Sequence, residues 1–231
     1  MTVSPPRPSA DKLRRTQAAR SESMRRRLLD ATLQSLAVDG YAGSSLNSIV
    51  KLAGVSRGAQ THHFPSKQAL ILEAADSLMR RAYRTFGKLV LSISDERDRH
   101  AALLDAMWKR LFDTPLFRAY LELVIASQRD PELADALRKL LRRARDWFEP
   151  AVDHYFETDE KSTVKASAVI LQQIMLLTSL VMQAHLLPGA GLLKEQFRTW
   201  LELSAAHIRP RAGVRTAPPR PLGWDDPMSL K

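Results

Sequence analysis

The sequence contains no cysteine. That excludes structural disulfides, thiolate catalysis, thiol redox sensing and cysteine-rich zinc sites together. Aromatic residues make up only 6% of the 231 positions. No segment alternates polar and apolar residues with the period of a half-buried strand, which argues against a sheet. The opening run MTVSPPRPSADKLRRTQAAR carries no apolar h-region, so no secretory leader is expected. What is present is a 45% hydrophobic content, ordinary for a folded soluble protein, and the lack of cysteine suits a cytoplasmic protein. The length allows one sizeable core, or a small domain joined to a larger one.

The formal net charge of +10 is unevenly placed. Residues 1–27 hold eight Lys/Arg against two Asp/Glu, and residues 209–231 hold five against two. Between them the chain is near neutral, with four against four in 28–80 and eighteen against seventeen in 81–208. A basic arm beside a compact domain points to a polyanionic partner, nucleic acid first and an anionic membrane second.

Residues 1–20, rich in Pro, Ser, Ala and Arg, are expected to form a disordered basic arm. A first helix should begin near Ser21, present Leu29, Leu33 and Leu36 on one face, and stop at Gly40. Ser44 or Ser45 then caps a second helix facing inward with Leu46, Ile49, Val50 and Ala53. Gly54 ends it, Ser56 caps a third, and Phe64-Pro65 closes that one. Ser66 caps a long fourth helix reaching about Leu91. Further helices are expected near Arg97–Phe112, from Pro115, from Asp130-Pro131 with a break or kink at Pro150, over Thr163–Leu187, and over Leu193–Ile208. The run Ala168–Leu187 is nearly as long as a membrane span, but Lys165, Gln172, Ser179 and Gln183 share one stripe. It is expected to be a helix buried on most sides of a soluble bundle. The Pro/Arg-rich segment 210–231 should be disordered.

Gly54-Val55-Ser56-Arg57-Gly58 matches G-x-S-x-G, the nucleophile elbow of hydrolases, with Ser56 as the nucleophile. An elbow needs a buried strand before the serine, whereas SSLNSIVKLA has helical period and a serine cap. The alternative is a helix-turn-helix, which needs a left-handed glycine, an apolar plug and a capped second helix with small inward residues. Gly54, Val55, Ser56 and Ala59 supply these in order.

The run IVKLAGVSRGAQTHHFPSKQAL, from Ile49 to Leu70, closely resembles the DNA-binding domain of the tetracycline-repressor (TetR) family. The likeness extends over residues 24–75 and includes Gly40-Tyr41, the Ser44-Ser45 pair, Ala53-Gly54-Val55-Ser56, Gly58, His63-Phe64, Ser66-Lys67 and Leu70. Thr61 stands where the family usually has an aromatic residue that touches phosphate, and Ala59 stands where it usually has threonine. A threonine hydroxyl bonds a phosphate over a shorter reach. The resemblance implies an all-α protein: an N-terminal three-helix DNA-binding domain over 21–75 and a larger helical ligand-binding and dimerisation domain over 76–209. It implies a homodimer that binds a double-stranded DNA operator, a repressor released by a small-molecule effector, and no enzymatic activity.

On that reading helix three reaches three or four base pairs, since seven residues span only about 10 Å. Arg57 has the fork to read guanine, and Gln60 the amide to read adenine. His62 is placed for a base edge or a phosphate. Ser44, Ser45, Ser56 and Thr61 are expected as phosphate-side contacts, along with Lys67, for which the family likeness implies the same role. Arg25, with Arg20, Arg26 and Arg27, is expected to track phosphates or to enter a minor groove. Adjacent His62 and His63 point about 100° apart on a helix and make a poor chelate, so no metal is expected. No cofactor is expected either. Trp108, Phe112, Tyr120, Met175 and Met182, with Glu122 or Gln173, are possible effector contacts, but each reads first as core.

Overall fold

The computed structural model describes residues 10–93, 98–158, 162–186, 189–218 and 221, with side chains from residue 17 onward apart from residue 190. The fold is all-α. Helices α1 (Ala10–Gly43, bent at Gly40), α2 (Leu46–Ala53) and α3 (Arg57–His63) form the N-terminal domain. The long α4 (Lys67–Ser92) leads into a larger helical body. The body contains α5 (Arg99–Met107), a π-helical turn (Trp108–Phe112), α6 (Pro115–Ser127), α7 (Pro131–Tyr155), α8 (Ala166–Gln183) and α9 (Ala190–Ser204).

Side-chain caps explain most of the helix starts. Ser45, Ser56, Ser66, Thr114 and Asp130 each have an extended backbone and accept a hydrogen bond from the amide three residues on. Those bonds satisfy donors that the first helical turn leaves without partners. Pro115 and Pro131 occupy first helical positions, where a missing N–H costs nothing.

Several expectations need correction. Helix α1 already runs from Ala10, so residues 10–20 are helical rather than part of an irregular arm; residues 1–9 lie outside the described residues. Pro150 does not end α7, which continues to Tyr155. Against the expectation of no strand, the described residues include one short antiparallel pair, β1 (Phe156–Glu157) with β2 (Arg209–Pro210), in which Phe156 faces Pro210. The segment just past 209 is therefore anchored. Arg211 N–H donates to the Tyr155 carbonyl at 2.9 Å, and its guanidinium pairs with Glu157 at 3.3 Å. Residues 219–220 and 222–231 of the expected tail, including Trp224, lie outside the described residues.

Two apolar cores organise the chain. One gathers Leu28, Leu29, Leu33 and Leu36 of α1, Ile49 and Ala53 of α2, Phe64, and Leu70, Ile71 and Ala74 of α4. It also takes in Ala119 and Leu123 of α6 and Leu133 and Leu137 of α7. The core of the N-terminal domain therefore continues past residue 75 into the body. The second core holds Tyr83, Phe86, Leu103, Leu104, Met107, Trp147, Tyr155, Phe156, Ile170 and Leu177.

Helix α8 is only partly enclosed. Its mean hydropathy of 1.5 would suit a membrane span by length and composition, yet only 33% of it is buried. Leu171, Met175 and Met182 are 42%, 55% and 48% exposed, against the expectation of burial on most sides. Its centre is nevertheless tied to the body. Gln173 is fully buried, bonded to His100 Nε2 at 2.9 Å and to Trp200 Nε1 at 3.2 Å. Hydrogen bonds to buried His100 of α5 and half-buried Trp200 of α9 are the behaviour of a bundle helix.

Candidate nucleic-acid interface

The α2–turn–α3 unit is built by local chemistry. Ser45 and Ser48 form a reciprocal capping box at the start of α2. Gly54 adopts the left-handed conformation, φ 61° and ψ 39°, and its N–H donates to the Lys51 carbonyl at 3.1 Å. Half-buried Val55 plugs the turn, and its N–H reaches the Val50 carbonyl at 3.3 Å. Ser56 Oγ then accepts from Ala59 N–H at 3.2 Å and starts α3. From outside the unit, Arg27 Nη2 donates to the Gly54 carbonyl at 2.8 Å. A Cβ on Gly54 would lie 2.7 Å from that nitrogen and push the Arg27 head aside, and the left-handed backbone itself favours glycine.

The exposed face of this unit carries Ser45, Asn47, Lys51, Ser56, Arg57, Thr61 and His62. Between Asp39 and Glu73 the sequence has no carboxylate, so the unit itself carries no negative side chain; Asp39 of α1 lies beside Ser48 and Lys51 of α2. The Arg57 guanidinium donates to Asn47 Oδ1, which holds the arginine across the mouth of the turn. Thr61 Oγ1 bonds back to the Arg57 carbonyl at 3.1 Å. His62 is exposed, while His63 is half-buried, with its ring 6.4 Å from that of Phe64. Burial, and then the charges of His62 and Arg25, push the His63 pKa down.

Other predicted site residues sit elsewhere. Gln60 is 2% exposed, and its amide donates to the Phe64 carbonyl at 2.6 Å. It faces the core and closes the end of α3, which corrects its expected role as an adenine reader. Ser44 is fully buried, its hydroxyl 2.7 Å from the Gly40 carbonyl and 3.0 Å from Ser35 Oγ. It braces the corner after α1, so its hydroxyl is not offered to phosphate as expected. Arg25 pairs with Glu73 at 2.5 Å and lies 5.9 Å from the Phe64 ring centre. Its charge is engaged in joining α1 to α4. Lys67 opens α4, half-buried, with Nζ 3.3 Å from the Tyr41 carbonyl.

The residues named as possible effector contacts fall in separate places, with Phe112 and Tyr120 sharing a neighbour, Phe117. Trp108 faces Phe197 at 5.8 Å, Phe112 faces Phe117 at 4.5 Å, and Met175 and Met182 point outward. Sequence reasoning missed the Arg27 and Glu122 contacts, because partners 27 and 81 residues away leave no local signal. Among the described residues no three His, Asp or Glu side chains gather in a way that could hold a metal ion.

The model of the domain "Bacterial regulatory proteins, tetR family" matches residues 28–74, which contain the whole α2–turn–α3 unit. The N-terminal domain belongs to the TetR family. The HTH-type transcriptional regulator CymR of Pseudomonas putida is 34% identical over 132 residues, 57% of this chain and 64% of CymR. The match thus spans just under two thirds of that relative. A TetR transcription regulator from Chloroflexus aurantiacus J-10-FL superposes with a TM-score of 0.61 at 22% identity, covering 84% of this chain and all of its own. A regulator from Saccharomonospora viridis in complex with choline gives 0.57 at 17% identity, covering 80% and 97%. These likenesses place the body in the TetR fold as well. The hydrolase reading of Ser56 falls: α2 precedes it where an elbow needs a strand, and the TetR-family relatives are transcriptional regulators, not enzymes.

Proposed function

We propose that the protein is a cytoplasmic, homodimeric transcriptional regulator that binds a double-stranded DNA operator and is released from it by a small-molecule effector, acting as a repressor. The observation that carries the proposal is the α2–turn–α3 unit. Its Gly54 turns left-handed between the two helices, and its exposed face presents Arg57, Thr61 and His62 from a unit that has no carboxylate of its own. Arg57 is the base-reading residue, with a fork suited to guanine O6 and N7. Ser45, Ser56, Thr61 and Lys67 serve as backbone contacts that set the register, and His62 reaches a base edge or a phosphate.

Dimerisation is supported by the outer face of α8 and α9. Leu171, Met175, Met182 and Leu203 are exposed there, and Ser204 is the single buried side chain described in α9. An apolar surface of this kind on a two-helix layer suits a two-fold, self-complementary contact. Two recognition helices would then lie about 34 Å apart, one turn of DNA. The choline complex of a protein with the same fold supports a small-molecule effector. The test is selection from a randomised duplex library. The expected result is a palindromic motif with half-sites about one helical turn apart. Failure to enrich any sequence contradicts the proposal.

A further inference from the structure

Tyr41 joins the two parts of the molecule. It follows Gly40, whose φ of 71° bends α1. Its backbone N–H donates to Glu122 Oε2 of α6 at 3.1 Å, and its hydroxyl donates to Asp130 Oδ2, at the start of α7, at 3.3 Å. Its carbonyl accepts from Lys67 Nζ at 3.3 Å, and that ammonium sits 4.9 Å from the centre of the Tyr41 ring. A Cβ on Gly40 would come within 2.9 Å of Glu122 Oε2, so glycine there leaves room for the Glu122 carboxylate beside the Tyr41 N–H.

Lysine is a point charge on a long, freely rotating stem, and by itself it is poorly aimed. Here one of its three donors is tied to the Tyr41 carbonyl and its head rests on the Tyr41 ring, which leaves two donors for a phosphate. Tyr41 is in turn fixed by two carboxylates of the body. We propose that Glu122 and Asp130 are positioning residues for DNA binding, holding Tyr41 so that it aims Lys67 at the phosphate backbone. The inference rests on the DNA-binding reading above.

The same arrangement gives the body a handle on DNA. Glu122 lies two residues beyond Tyr120 on α6. The Tyr120 ring packs 5.5 Å from Phe117, which packs 4.5 Å from Phe112 at the end of the π-helical turn. A shift of α6 within the body would move Glu122 against Tyr41 and withdraw Lys67. Irregular π turns within helices recur at functional positions, and here one lies directly before α6.

The test is a double-mutant cycle on the duplex enriched by the wild-type protein, with affinity measured across a salt series. Lys67→Ala is expected to weaken binding on the order of tenfold and to reduce the magnitude of the salt slope by about one. Glu122→Ala should weaken binding several-fold and lower the slope, and its effect should disappear in the Lys67→Ala background. Glu122→Gln keeps an oxygen that accepts from the Tyr41 amide and should restore most of the affinity. Tyr41→Phe, which removes the hydroxyl that donates to Asp130 and keeps the ring beside Lys67, provides a second cycle if Glu122→Ala does not fold. A Glu122→Ala loss that persists undiminished without Lys67 overturns the inference. So does a variant with a lowered melting temperature and unchanged affinity and slope. Failure of the wild-type protein to enrich any duplex overturns the DNA-binding reading, and this inference with it.

Discussion

The N-terminal domain and the outer α8–α9 layer are both rich in leucine, yet they use it in opposite ways. In the first, Leu28, Leu29, Leu33 and Leu36 are all 1% exposed or less, sealed against Ile49, Phe64 and Leu70. In the second, Leu171, Met175, Met182 and Leu203 range from 42% to 66% exposed. Both segments satisfy a helical period, so periodicity alone does not say whether an apolar face meets its own chain or another surface. One region completes its core within the chain. The other leaves an apolar face open.

Substitutions should separate these two behaviours. The largest effect is expected at Ile49, which is fully buried in the N-terminal core. Ile49→Ala should destabilise the N-terminal domain by about 2–5 kcal/mol through lost burial and a residual cavity. Chemical denaturation followed by circular dichroism would measure this. Gly54→Ala should cost about 1–2 kcal/mol from the left-handed backbone alone, since φ there is 61°. It also displaces Arg27 from the Gly54 carbonyl, so DNA affinity should fall further than stability does.

The body has its own signature in its response to pH. Burial pushes the His100 pKa below the ordinary 6.5, with its bond to Gln173 opposing the shift. The unfolded chain therefore takes up the proton first as pH falls. The stability contributed by the neutral ring is complete above pH 6.5 and is lost as pH drops through that value toward the lower folded pKa. Melting temperatures at pH 8 and pH 5.5 should differ more for the wild type than for His100→Gln. Equal differences would remove this assignment. The smallest effect on folding is expected at Leu203 and Met175. Replacing both by serine should change the stability of the isolated chain by less than about 0.5 kcal/mol per site. The whole consequence should appear instead in sedimentation, as a shift from dimer toward monomer.

Much of the N-terminal domain was legible because its rules are local. Ser45, Ser56 and Ser66 cap the helices that they were expected to cap, and Gly54 occupies its left-handed position three residues after Lys51. Contacts across the chain were not legible. Nothing near Arg25 in the sequence announces Glu73, and helical spacing could not show that Gln60 turns inward to the Phe64 carbonyl. Helix α1 extends back to Ala10 through a stretch whose polar composition had suggested an irregular arm. The anchored segment after Ile208 was hidden for a similar reason. Its Pro/Arg content fits an irregular tail, yet Arg209 and Arg211 both find Glu157 on the neighbouring strand.

The central claim is that the exposed face of α3 reads DNA through Arg57. The most direct measurement is fluorescence anisotropy of the wild type and Arg57→Ala on duplex DNA from upstream of the protein's own gene, beside a scrambled duplex, across a salt series. The account predicts tight, selective wild-type binding with a steep salt slope. It also predicts an Arg57→Ala variant that loses about 1–3 kcal/mol of discrimination between the two duplexes. No binding by the wild type to either duplex, even at low salt, would contradict it.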